Sequence, residues 1–117
     1  MTQIIYKQVT IANGQTLSSE VDLEGSQLVG INIPAEFDGT SLGLTAAPIL
    51  SDGTSGTFVD VQNGSTSSTA LAFTTTASRY IPIDNLAMTA GLRKIKLKAA
   101  TSQTGNTVFT LTLRQVA

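Results

Sequence analysis

Three groupings in this sequence have residue types and spacing that could do chemistry. The first is Glu20-Val21-Asp22-Leu23-Glu24-Gly25, with acids at alternate places and glycine sixth, as at the start of a calcium-binding loop. The twelfth place of such a loop needs a bidentate glutamate, and here it is Ile31. The acids therefore read as one solvated side of a strand, opposite Val21 and Leu23. The second grouping is any pair among the eight acids, since two carboxylates suffice for glycoside hydrolysis. Most of them sit in turns, as Asp38 and Asp52 do, or beside strands, where turn formation and solubility account for them. The third is "LRKIKLKA", Leu92–Ala99, which holds four of the seven bases in eight positions.

Other chemistry is excluded by composition. There is no histidine, so the commonest general base and metal ligand is missing, and no cysteine, so disulfides and thiolate sites are impossible. Neither phosphate-cradling glycine pattern occurs. The expectation is a protein that is not an enzyme and has no cofactor and no metal.

The basic stretch has a period of two. Lys94, Lys96 and Lys98 share one face of a strand, with Ile95 and Leu97 on the other. A nucleic-acid grip needs more bases and, for single strands, interleaved aromatics, whereas the net charge is only −1. Nucleic acid is thus disfavoured beside two plainer uses: guarding a strand edge, or docking onto an acidic protein surface. Residues 1–78 hold seven acids and one lysine, and residues 79–117 hold one acid and six bases. If the folded chain kept that asymmetry in space, identical subunits could associate basic edge to acidic edge. Sugar binding would need an exposed aromatic plate. There is no tryptophan, and Tyr80 and Phe37 are the candidates among six aromatics.

The elements that must carry these residues are short strands. Serine and threonine make up about a quarter of the chain, which favours strands and turns. "IIYKQVTI" is followed by the turn signal Asn13-Gly14, and "TFVDVQNG" ends in another, Asn63-Gly64. "LVGINI" puts Val29, Ile31 and Ile33 on one face and is closed by Pro34. "LGLTAAPIL", "ALAFTTT" and "SRYIPID" follow, with Pro82 placing the last at an edge or bend. "DNLAMTAG" suits one helical turn, with Asp84 as N-cap and Gly91 as stop. In "TVFTLTLR" Phe109, Leu111 and Leu113 share a face. Eight or nine strands about ten residues apart predict an all-β, single-domain antiparallel β-sandwich, jelly-roll-like, spanning 1–117, with at most one short helical turn. Residues 1–12 form an N-terminal arm or edge strand. No apolar run reaches the ~20 residues of a membrane span, and no leader is recognisable. The chain is therefore expected to be intact from Met1, with no membrane partner, and made in the cytoplasm.

The motifs "LVGINIPAEFDGTSLGLTA", "DGTSGTFVDVQNG" and "SRYIPIDNLAMTAGLRKIKLKAATSQTGNTVFTLTLR" resemble those of small β-rich virion structural proteins of tailed bacteriophages, from about Gln15 to Arg114. Phe37 stands where that family often has tryptophan, and Thr107 where a base often precedes the last strand. The resemblance implies a virion component, best a capsid decoration (cement) protein on the capsid surface. Its partners would be the major capsid protein and itself, as a homo-oligomer with a trimer favoured. Candidate contact residues are Arg93, Lys94, Lys96 and Lys98, with Ile4, Ile5 and Tyr6 as an arm or swapped strand. "SRYIPI" also resembles a strand of discoidin-like domains, which keeps open a tail, fibre or lectin-like module binding host-surface glycan.

Overall fold

A computed structural model describes residues 2–116; Met1 and Ala117, the ends of the expected domain span, lie outside the described residues. Among the described residues nine strands form: β1 (Thr2–Ile11), β2 (Val21–Asp22), β3 (Gln27–Ile33), β4 (Ser41–Ala47), β5 (Val59–Asp60), β6 (Ala72–Thr74), β7 (Arg79–Pro82), β8 (Lys94–Ala99) and β9 (Thr107–Val116). They make two antiparallel sheets. The first has the order β1-β9-β3-β7, and the second β2-β8-β4-β5, with β6 also on β4.

β5 and β6 occupy one edge position of β4. Asp60 lies opposite Thr45, and Ala72 opposite Gly43. Between them residues 61–71 leave the ladder and return, held by the Gln62–Ala70 bridge and by Leu71 N–H donating to Val61 C=O. With β5 and β6 counted as one, eight strand positions remain. Every link between consecutive positions crosses from one sheet to the other, except the hairpin from β4. That is jelly-roll connectivity, in which each sheet buries one face against the other.

The clean alternations behave as their period dictates. Phe109, Leu111 and Leu113 of β9 and Ile95 and Leu97 of β8 all face inward and are fully buried, each burial stabilising by roughly 1.5–3 kcal/mol. Leu28, Ile31, Leu42, Leu44 and Leu23 complete the centre, and Phe37 packs edge-on against Phe109 with centroids 5.7 Å apart. The expected face of β3 needs correction. Leu28, Ile31 and Ile33 are buried while Val29 is only half-buried, because the β3–β9 register shifts between Leu28 and Gly30. One extra residue in a bulge reverses the parity on its N-terminal side.

β7 is an edge strand, as Pro82 suggested. Ile83 N–H donates to Val29 C=O, so odd-numbered residues there face β3 and Pro82 faces outward, where its missing N–H costs nothing. The helical turn is a 3-10 turn over Leu86–Met88. Its cap is Asn85, whose side chain accepts from Ala87 N–H at 3.2 Å, and not Asp84. The stop is Thr89, not Gly91: the buried Thr89 hydroxyl donates to Leu28 C=O at 2.9 Å, tying the turn to β3.

One end of the sandwich is stapled by Gln103, 1% exposed. Its Nε2 donates to the carbonyls of Asp38 (3.0 Å) and Thr101 (2.9 Å). Its Oε1 accepts from Asp38 N–H (3.0 Å) and the Thr107 hydroxyl (3.1 Å). Gly14 and Gln15 bond its main chain, so three loops meet on one residue.

Candidate functional site

The structure separates the two groups of candidate contact residues onto opposite faces. The lysine row lies on the outer side of the second sheet, where β8 pairs with β4 and β2. There each lysine has a partner in its own chain. Lys94 Nζ is 3.0 Å from Glu20, and Lys98 Nζ is 3.1 Å from Asp60. Lys96 Nζ stands 4.5 Å from the centroid of Phe58, a cation–π contact. Arg93 Nε lies 2.6 Å from Asp22.

Acids of the first half thus meet bases of the second within one molecule. Three of the four bases in this stretch are neutralised, and the asymmetry along the sequence does not become a dipole at this surface. Glu20 is held below its ordinary value by hydrogen bonds from Lys94 and then Ser55. Asp22 is held down first by Arg93, and Arg93 is raised in turn.

The two turn carboxylates, Asp38 and Asp52, are occupied locally. Asp38 accepts from Thr104 N–H and hydroxyl, and Asp52 from Thr54 hydroxyl and N–H; both are held below the usual aspartate value by those bonds. No group of three or more potential metal ligands occurs among the described residues. The alternating acids of "EVDLEG" also have in-chain partners: Glu20 with Lys94, Asp22 with Arg93, and Glu24 with Lys7 at 2.6 Å.

The first sheet is different. β1 lies at its edge, paired with β9 along its whole length. Ile4 and Tyr6 point outward, 46% and 65% exposed, while Ile5 points the other way and packs against the core. The register sets Tyr6 beside Thr112, and Thr112 beside Gly30. A side chain at Gly30 would collide with the Tyr80 ring, so Tyr80 lies over that glycine. Thr112 is nearly buried, and its hydroxyl has no hydrogen-bond partner among the described residues. The outer face therefore carries Tyr6 and Ile4, a low strip of Gly30, Thr110 and Thr112, then Tyr80, with Val108 exposed at one end. Arg114 is its one charge among the described strand residues whose outward side the register fixes.

Val108 was not singled out by sequence reasoning, although alternation in "TVFTLTLR" already put it opposite Phe109. What places it beside Thr10 of β1 is the β1–β9 register, which no local pattern encodes. Of the two sugar-stacking candidates, Phe37 is ruled out by position: it is 5% exposed and serves the core. Tyr80 is 49% exposed. With Thr74, Thr75, Thr76, Arg79 and Ile81 it lines an open recess of about 350 Å³.

No protein-family model and no curated protein matches the chain. Among solved structures, the fold is similar to that of the SPBc2 prophage-derived protein YomS, with a TM-score of 0.56 and 12% identity. The match covers 98% of this chain and 96% of that one, so the whole sandwich is shared.

Proposed function

We propose that the chain is a structural protein of a tailed-phage virion, specifically a capsid decoration protein that binds the major capsid protein shell. It acts by binding, without catalysis. The observation that carries this reading is the outer face of the first sheet, broad, nearly uncharged and bearing Ile4, Tyr6, Tyr80 and Val108 exposed. A face of that kind suits protein contact, where aromatic anchors dominate and charges are depleted. The resemblance of the sequence motifs to those of phage virion proteins and the fold shared with a prophage-derived protein support the setting. The lysine row is the weaker docking candidate, because its charges are already met within the chain.

The test is to mix the purified protein with mature heads and with tails and to count bound copies. Saturable binding to heads in many copies is expected. Binding to tails, or a few copies at one vertex, would overturn the reading. Tyr6→Ser with Val108→Ser should weaken head binding at least tenfold, whereas glutamine at Lys94, Lys96 and Lys98 should change it little.

A second reading, a module that binds host-surface glycan, is favoured by one observation: Tyr80 and Arg79 border a recess lined by three threonines. It predicts sugar-array binding that disappears in Tyr80→Ala.

A further inference from the structure

Each sheet edge but one is short or interrupted. β7 has four residues and ends on Pro82, β2 has two, and the β5/β6 position is split by residues 61–71. β1 is ten residues long, pairs with β9 without a register shift and contains no proline. A long, uninterrupted edge is a template for another strand unless something blunts it.

The direction of its unpaired backbone groups follows from one bond. Ser19 N–H donates to Thr10 C=O at 3.2 Å, so that carbonyl faces away from β9. Along a strand, backbone groups alternate between its two sides every residue. With no shift in the β1–β9 register, Ile4, Tyr6 and Gln8 also turn their N–H and C=O groups away from β9. Among the described residues, none of the three makes a main-chain bond outside that ladder.

We propose that two copies of this chain join through β1, antiparallel, about a two-fold axis at Tyr6. Tyr6 then faces the second copy's Tyr6, and Ile4 faces Gln8 on both sides of the axis. Each facing pair exchanges two main-chain bonds, giving about six in all. The ladder ends there because Thr10 already bonds Ser19.

Side chains agree with the join. Tyr6 and Ile4, the exposed large hydrophobic side chains of β1, lie on the outer face, where Tyr6 meets its counterpart across the axis. Lys7, the one charge on the strand, points inward and is used within its own chain. It donates to Glu24 and, at 2.7 Å, to Asp22 C=O, so no unpaired charge enters the join. The product is a continuous eight-stranded sheet with an isologous interface. An antiparallel pair of identical strands has two-fold symmetry, so this edge yields a dimer, and not the trimer that the family resemblance implies.

Sedimentation equilibrium on the full chain should give a mass of two copies, and a monomer or trimer would overturn the proposal. Tyr6→Pro removes an N–H that faces away from β9. It should leave the circular dichroism spectrum intact and yield a monomer. Should that variant not fold, Tyr6→Lys and Tyr6→Glu keep the question open to decision. Each alone places like charges face to face and should be monomeric, and an equimolar mixture should recover the dimer. Dimers that persist in all three variants would place the interface elsewhere. Sedimentation is run without heads, so a failure of this join is read independently of any failure of head binding.

Discussion

Removing the amide of Gln103 strips the partner from three main-chain groups at once, Asp38 N–H and C=O and Thr101 C=O, while the Thr107 hydroxyl keeps Gly105 C=O at 3.2 Å. Buried groups left unpaired cost about 1–3 kcal/mol each, less where water can enter. Gln103→Leu should lower unfolding free energy by about 3 kcal/mol or more in a urea titration. Gly30→Ala should behave differently. Its new methyl meets only the far end of the exposed Tyr80 ring, which can swing aside. Stability should stay within about 1 kcal/mol while the Tyr80 ring resonances shift, a clean reading because Tyr6 is the one other tyrosine. Acid acts through Glu20, Asp22, Asp38 and Asp52, all held below their ordinary values of 4.5 and 3.8 in the folded chain. Depressed carboxylates lend stability above the unfolded-state value and lose it as pH falls through the folded one. With no histidine, the urea midpoint should be flat between roughly pH 6 and 8 and fall below about pH 4.5.

Among the elements, β8 shows how far sequence goes. Its alternation was legible, and so was the burial of Ile95 and Leu97. What the lysines touch was not, because Glu20 and Asp60 are 74 and 38 residues away and only the folded register brings them near. Glutamine at all three lysines should lower the urea midpoint only slightly, because what is lost is two exposed ion pairs and one cation–π contact. β3 marks the opposite limit: its bulge at Val29 depends on fitting between β9 and β7, and "LVGINI" carries no sign of it. The split edge was also hidden. "TFVDVQNG" and "ALAFTTT" read as separate strands, yet the register makes them one position. Partner numbers sum to 105 at Thr45–Asp60 and to 115 at Gly43–Ala72, a difference of ten. Deleting residues 62–71 should therefore splice β5 to β6 in register. The fold should survive at a cost of about 2–4 kcal/mol from losing Leu71, measured by urea titration. The spliced edge would be longer, and sedimentation should show new, larger assemblies in this variant.

At the scale of the molecule, the jelly roll was expected from strand count and spacing, and its two sheets are what the structure has. Which outer face is the bare one was not readable. Both sheets alternate, and the loop carrying Ser55 and Phe58 reaches the lysine side, not the tyrosine side. A two-fold join at β1 would set two bare faces side by side on one sheet, so each dimer would offer the capsid a paired surface. Two linked weak contacts can then exceed either alone by orders of magnitude where both can engage.

The pairing of β1 with β9 also has a consequence in time. Thr2 lies opposite Val116 and Ile11 opposite Thr107, so β1 leaves a ribosome roughly a hundred residues ahead of the strand that covers it. At about 5–20 residues per second, that wait is on the order of 5–20 s. Throughout it, both sides of β1 are unpaired, and the side later covered by β9 is as sticky as the one left open. A cell making many copies at once would therefore meet its greatest hazard before β9 emerges, when nascent β1 segments can find one another.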